Sequence, residues 1–299
     1  MGKLVIIDGN AVLHRAFHAL PPMTNKKGEP INAVYGLVSM LLRVIQDIKP
    51  THIAVAFDRK EPTFRQIALK TYQAQRPPMA TELSSQFQKA RDFLEAAGVP
   101  VYSKAGFEAD DIIGTITEKS KEDVVIVTGD RDQLQLVNDK RNIKLYMPIA
   151  GLANAKLFGE KETIERMGVP PSQIDDYKAL VGDASDNYGG VPGIGPKTAI
   201  TLLSEFGSFE DIYKNLEKIP EKIREKLEKG KEGGYLSKKL ATIVRDVPLD
   251  LDFEAMGGWR VDSPEVLKLF EEFGFKTLTN RVKSVGKQID EEKQGALFK

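Results

Sequence analysis

The chain has 299 residues, 41% of them apolar and 29% charged, the composition of a folded globular protein of one large or two ordinary domains. Cysteine is absent and the only histidines are His14, His18 and His52, which excludes disulfides, thiolate catalysis and cysteine or multi-histidine zinc sites, so any metal must be held by oxygens. The 43 basic and 43 acidic side chains balance, no apolar run approaches the roughly 20 residues that span a bilayer, and the run before Asp8 is too short for a signal peptide, so a cytoplasmic protein is expected.

Leu4-Val5-Ile6-Ile7 before Asp8-Gly9-Asn10 reads as a short buried strand ending in a turn, and residues 33–48 follow as a helix. Ile53-Ala54-Val55-Ala56-Phe57 before Asp58 repeats the strand pattern. Between 60 and 94, the basic residues Lys60, Arg65, Lys70, Arg76, Lys89 and Arg91 outnumber Glu61, Glu82 and Asp92 around Pro77-Pro78, which predicts a helical arch over the sheet edge. A helix over 108–120, a third strand ending at Gly129-Asp130 and a closing strand over 143–147 complete the first region. This alternation predicts, for residues 1–150, an open, mostly parallel α/β sheet with helices on both faces. Residues 151–283 read as helices joined by Gly and Pro turns, and residues 284–299 as a polar, flexible tail.

Three predicted strands each end on an aspartate, Asp8, Asp58 and Asp130, where open parallel sheets bind their ligands. Each alone is equally well a helix N-cap; their joint occurrence favours a site. Glu108, Asp110 and Asp111 open a helix at the same rim, with Glu108 and Asp111 sharing a face. Asp132 follows Asp130, and Asp183 and Asp186 in Gly182-Asp183-Ala184-Ser185-Asp186-Asn187 stand three apart. Nine acids gathered this way repel one another unless cations intervene. Oxygen-only ligation suits magnesium or manganese, and two such ions about 3.5 to 4 Å apart serve in-line attack on phosphodiesters. No EF-hand spacing is present to favour calcium storage.

Gly190-Val191-Pro192-Gly193-Ile194-Gly195-Pro196-Lys197-Thr198-Ala199 has the form of a helix-hairpin-helix over about 190–207. Gly193 and Gly195 allow a tight turn whose backbone N–H groups face a phosphate at the start of the next helix, with Lys197 and Thr198 beside it. Such contacts read backbone rather than base sequence. Arg65 and Arg76 offer phosphate contacts, Tyr72 an aromatic for stacking on an unpaired base, and Arg15 lies close enough to Asp8 to reach a scissile phosphate or to pair with a neighbouring acid. His14 and His18, four apart, lack a third nitrogen or sulfur ligand and are assigned to packing or DNA contact.

In order, Ile7-Asp8-Gly9-Asn10, His14-Arg15-Ala16-Phe17, Phe57-Asp58 with Phe64-Arg65, Glu108-Ala109-Asp110-Asp111, Gly129-Asp130-Arg131-Asp132 with Gln135-Leu136, and Gly182 to Asn187 with Pro192-Gly193-Ile194-Gly195 resemble the bacterial 5′ nuclease family. That family comprises the flap endonuclease-like domain at the N-terminus of DNA polymerase I and free-standing 5′-3′ exonucleases. The resemblance covers about residues 3–282. It implies a PIN-like α/β core, an arch passed by a single-stranded 5′ end, and a helix-hairpin-helix on duplex DNA that often holds potassium. It further implies one metal position near Asp8, Asp58, Glu108, Asp110 and Asp111, and a second near Asp130, Asp132, Asp183 and Asp186. The reaction implied is hydrolysis by a metal-activated water, leaving a 5′-phosphate and a 3′-hydroxyl near a single-strand/duplex junction.

Three positions depart from the family pattern. Gln73 stands where a lysine usually helps neutralise the scissile phosphate, a loss on the order of a hundredfold in rate unless Arg76 or Arg15 compensates. Gln66 replaces a common His, and Tyr188-Gly189 replaces a usual Ile-Pro, which is expected to loosen entry to the hairpin. The C-terminal Gln294-x-x-Leu297-Phe298 resembles a sliding-clamp-binding peptide, with an ordinary linker tail as the competing reading. The expected function is therefore a magnesium-dependent, structure-specific 5′ nuclease of replication and repair, acting as a monomer, with or without a following polymerase domain. The alternatives are a DNA-junction binding module with weak or no catalysis, motivated by Gln73, and a PIN-type ribonuclease, against which the hairpin argues.

Overall fold

The computed structural model describes residues 2–150 and 154–297, with side chains described for 2–148 and 155–291. Six strands form one sheet: β1 (Lys3–Asp8), β2 (His52–Ala56), β3 (Val101–Tyr102), β4 (Asp123–Val127), β5 (Ile143–Ala150) and β6 (Asn154–Phe158). Their order is β3-β2-β1-β4-β5-β6, all pairs parallel except β5 with β6. The expected open, mostly parallel sheet is present. Two strands were not foreseen: β3 is two residues long, too short for periodicity to register, and β6 (NAKLF) carries no sustained apolar run.

Both faces of the central strands are covered, which is why they read as continuous apolar runs. Val5, Ile7, Ile53, Val55, Val125 and Val127 enter one core, and Leu4, Ile6, Ala54, Ala56, Val124 and Ile126 the other, the alternation that a period of two demands. After α1 (Gly9–Ala19), the helix α2 (Asn32–Ile48) covers the first face. α3 (Phe64–Ala68) and α4 (Thr81–Ser84) are short, and α5 (Gln86–Ala96) returns to α2. On the second face lies α6 (Ala109–Lys119), through Ile112, Ile113 and Ile116. α7 (Glu160–Met167), α8 (Ile174–Val181), α9 (Pro196–Phe206), α10 (Phe209–Lys214) and α11 (Glu221–Ala241) extend that second core through Leu180, Leu203, Phe209 and Leu227. α12 (Pro264–Phe273) and α13 (Lys276–Leu297) then return to the first face, where the Phe270 ring stacks 5.8 Å from Phe93.

Three expected boundaries shift. The sheet runs past residue 150 to Phe158, and the last two helices pack on the N-terminal core, so the two regions interlock. The arch is confined to about 60–85 rather than 60–94. Gln86 is fully buried and accepts from the Ala33 N–H at 2.7 Å while donating to Asn32, and Ala90, Phe93 and Leu94 fill the core behind it. The expected tail from 284 begins inside a helix: α13 runs to Leu297, and Val282, Val285 and Ile289 extend an apolar stripe at i, i+3 and i+7 onto the first core. The side chains of the 294–298 segment fall outside the described residues. Among the described residues, no helix is long and apolar enough to cross a membrane.

Candidate active site

The chain leaves β1 toward β2 on one side and returns through α6 to β4 on the other, so a crevice opens at the carboxyl ends of these three strands. Asp8, at the end of β1, caps α1: one oxygen accepts the Ala11 N–H at 2.9 Å and the other the Thr128 hydroxyl at 2.8 Å. Gly9 must follow, because a Cβ there would lie 2.4 Å from the Phe57 ring. Asp58, beyond β2, accepts the Ala109 N–H at 2.7 Å, while its own N–H donates to the Asn10 side chain at 3.0 Å. Asp110 accepts from Gln133 Nε2 at 2.7 Å, and Asp130 from the Asp132 N–H at 2.8 Å. For Asp8, capping and site formation are therefore not alternatives, whereas Asp58 and Asp130 are no helix N-caps and are held by the Ala109 and Asp132 amides. Asp8, Asp58, Glu108, Asp110, Asp130, Asp132 and Asp186 line one open cleft of about 1270 Å³, with His14, Gln73 and Arg76 on its walls.

Packing carboxylates this densely raises their proton affinity. Burial, opposed by the Ala11 amide and the Thr128 hydroxyl and reinforced by Asp58 and Asp130, pushes Asp8 up to about 7. Burial also pushes Glu108 up to about 7, with Arg65 opposing and Asp111, Asp58 and Asp186 adding to it. Asp58 is raised chiefly by burial, and Asp110 well above its ordinary value by burial and then by Asp130, Asp8 and Asp132. Asp132 rises to about 6 through burial, although Lys178 pulls it down. Groups that bind protons more tightly when folded stabilise the fold below their ordinary values of 3.8 for Asp and 4.5 for Glu, and that stability is lost as pH rises through about 6 to 7. The thermal midpoint of the metal-free protein is expected to fall by several degrees from about pH 5 to about pH 8, and saturating divalent ion to remove the slope. A metal-free midpoint that climbs over this window would count against a repulsive buried cluster.

Among the described residues, Asp132, Asp183 and Asp186 form the one acidic trio whose oxygens lie within 4.8 Å of one another. The donors are all oxygen and the neighbouring acids are incompletely neutralised, so the set fits a hard divalent cation. Arg76 Nη2 reaches Asp186 Oδ1 at 2.6 Å, joined there by Gln73 Nε2 at 3.1 Å, and the Tyr72 hydroxyl donates to Asp186 Oδ2 at 3.1 Å. The Lys178 ammonium bridges Asp132 and Asp183. Burial pushes Asp183 up, but Lys178 and Ser185 outweigh it and hold this carboxyl below the usual range. Lys178 was missed in the sequence, where residues 174–181 read only as a helix; its signal was a lysine five residues before Asp183.

Several expected site residues do other work. Asp111 is fully buried and saturated: Arg65 Nη1 and Nη2 donate at 2.7 and 2.9 Å, the Glu108 N–H at 3.1 Å and the Val244 N–H at 2.9 Å, so it has no lone pair left for a metal. Arg65 is accordingly no DNA contact. It is 2% exposed, and its remaining donors go to the carbonyls of Leu240 and Thr242. Tyr72 is also buried, stacked 6.4 Å from Tyr188, and is not free to receive a base. Arg15 lies by Gly129, where a Cβ would stand 3.4 Å from its Nη1, at the end of β4. Gln66 caps α3 by accepting the Thr63 N–H at 3.0 Å. Entry to the hairpin is not loosened, because Tyr188 exchanges both backbone bonds with Asp183, at 2.9 and 3.1 Å. In the hairpin Gly193 has φ +82, as a tight turn requires, and its carbonyl accepts from Lys226 Nζ at 3.0 Å. Gly195, with φ −100 and open space around it, is the N-cap of α9 and is not sterically required. Lys197 is exposed and Thr198 half-buried in the first turn of α9.

Family models for the 5′-3′ exonuclease match nearly end to end, the N-terminal resolvase-like domain over residues 3–168 and the C-terminal SAM fold over 169–264. The chain belongs to the 5′-3′ exonuclease family. DNA polymerase I of Caldicellulosiruptor bescii is 42% identical over 283 residues, covering 94% of this chain and 33% of the polymerase. DNA polymerase I of Bacillus subtilis (strain 168) is 39% identical over 284 residues, covering 94% and 32%. The chain thus spans about a third of the length of these relatives. The T5 D15 protein co-crystallized with metal ions superposes with a TM-score of 0.66 at 22% identity, covering 95% of this chain and 98% of that one. The catalytic core of Rad2 in complex with DNA substrate gives 0.61 at 14%, covering 95% and 92%. These two likenesses establish the fold, and family membership makes the chain a nuclease of the 5′-3′ exonuclease class.

Proposed function

We propose that this exonuclease-family chain is a structure-specific 5′ nuclease, both 5′-3′ exonuclease and flap endonuclease, that hydrolyses DNA phosphodiesters near single-strand/duplex junctions in replication and repair. The observation that carries the reading is the continuity of one segment. Asp186 lies in the cleft wall with Asp183 beside it, and a few residues later the same loop becomes the Gly190–Gly195 hairpin and the exposed Lys197 on α9. A duplex gripped at the hairpin is thereby set at a fixed distance from the carboxylates.

Asp130, Asp132, Asp183 and Asp186 would hold one Mg²⁺ or Mn²⁺, and Asp8, Asp58, Glu108 and Asp110 a second. Two such ions supply charge neutralisation at the scissile phosphate and a nucleophile available at neutral pH. The chain's own groups position the DNA. The hairpin amides and the N-terminus of α9 face a duplex phosphate, and Lys197 and Thr198 add charge and a hydroxyl. Arg76, whose side chain is 52% exposed, is the arch cation able to turn from Asp186 to a phosphate near the break. His14, on the cleft wall, is held below its ordinary value by burial, then by His18 and Arg76, and serves as a neutral hydrogen-bonding group. Products are a 5′-phosphate and a 3′-hydroxyl. Potassium at the hairpin, a sliding-clamp contact through residues 294–298, a covalently following polymerase domain and a monomeric state belong to the same proposal.

The test is single-turnover cleavage of a 5′-flap duplex and a matched single strand with magnesium, manganese or chelator. Cutting near the flap junction with either metal and none with chelator is expected. Tight flap binding without cutting under both metals overturns the proposal in favour of a junction-binding module. Lys197→Ala is expected to weaken binding to every duplex sequence and to lower the salt slope by about one, as loss of one phosphate contact does; unchanged affinity refutes its phosphate role.

A further inference from the structure

We propose that Lys178 is a tethered counter-ion of the second metal site, which holds Asp132 and Asp183 together in the metal-free protein and must give way for a divalent ion to bind. The inference rests on the two-metal reading above. Lys178 lies on α8 with its side chain 8% exposed, and its ammonium bonds Asp132 Oδ1 and Asp183 Oδ2 at once. Those two carboxylates, with Asp186, are the trio that fits a divalent cation. Arg76 covers the third member, so three acids share two side-chain cations.

The backbone beneath Lys178 is fixed, since Ile174, Ala179 and Leu180 of the same helix are fully buried in the second core. Only its four-carbon stem can move. A divalent ion among the same oxygens would face an ammonium at hydrogen-bond distance, and two cations there repel. Ion entry therefore displaces Lys178 from at least one carboxylate, and the ammonium lowers the affinity of this site relative to the other acids of the cleft. Its presence keeps the apo trio from repelling itself apart. It also makes the second ion the weaker one, taken up most readily once a DNA phosphate adds negative charge.

Manganese binding to the full chain without DNA, followed by calorimetry and by electron paramagnetic resonance, tests this in the wild type, Lys178→Met, Lys178→Arg and Asp183→Asn. Lys178→Met is expected to tighten the weaker manganese site on the order of tenfold or more and to lower the metal-free thermal midpoint. Lys178→Arg, which keeps the charge, should stay near wild type in affinity. A lysine with only a structural role would lower the midpoint without moving the manganese affinity, and that result overturns the proposal. Should Lys178→Met not fold without metal, the wild type itself decides. The ¹⁵Nζ signal absent from Lys178→Arg is expected to be protected from exchange without metal and to lose protection at saturating magnesium; protection unchanged by magnesium overturns the proposal. Wild-type uptake of manganese that Asp183→Asn does not diminish would instead remove the two-metal reading, and the inference with it.

Discussion

Asp110→Asn is expected to lower single-turnover cleavage on the order of a thousandfold while raising the thermal midpoint of the metal-free protein by several degrees. The two effects have one cause. Asp110 is raised well above its ordinary value by burial and then by Asp130, Asp8, Asp132 and Glu108, so folding forces it into a crowd of like charges. The amide has the same shape and keeps an oxygen for Gln133 Nε2, which donates at 2.7 Å. What it loses is the charge that a divalent ion needs and that the metal-free fold must tolerate. Melts with and without magnesium, read beside the cleavage rate, separate this from ordinary damage. A lower metal-free midpoint with retained cleavage would take Asp110 out of the site. Magnesium should also stabilise the variant less than the wild type, because one ligand of the ion is missing.

The strands and their terminal acids were legible because each is a local pattern, an apolar run buried on both faces and stopped by an aspartate, of which Asp8 caps α1 and Asp58 braces the start of α6. The difference between Asp110 and Asp111 was not. Adjacent residues on a helix point about 100° apart, and which one meets the cleft depends on the rotation of α6, fixed by Ile112, Ile113 and Ile116 packing under the sheet. Arg65 and Tyr72 misled for a related reason. A basic stretch reads as solvated, yet the partners that bury Arg65 are carbonyls 175 and 177 residues further along. Lys178 was missed because its local signal, the spacing to Asp183, says nothing of Asp132 arriving beside it. The helix running into the tail was hidden by polar composition, although the stripe of Val282, Val285 and Ile289 was present in the sequence. The family resemblance supplied the order of the motifs, and the structure separated the acids that face the cleft from the one that holds the arch in place.

That separation gives Arg65→Met a definite outcome: a loss of about 3 to 5 kcal/mol of stability, a drop on the order of ten degrees in thermal midpoint, with flap affinity unchanged where the variant is folded. The Arg65 side chain is 3% exposed and that of Asp111 not at all, so neither charge is relieved by water. The guanidinium meets Asp111 through two parallel bonds, contacts Glu108 Oε2 at 3.3 Å, and ties α3 to the end of α11 through the Leu240 and Thr242 carbonyls. Removing it strands a buried carboxylate and two carbonyls together, the costly case, whereas removing both charges is far milder. Arg65→Met with Asp111→Leu should therefore recover much of the loss, leaving the two carbonyls as the residual cost. The base of the arch rests on this pair, so the single variant should also cut more slowly near its melting range, with normal cutting well below it. A stable Arg65→Met protein with weakened, less salt-dependent DNA binding would restore Arg65 to the phosphate-contacting role that its sequence context first indicated.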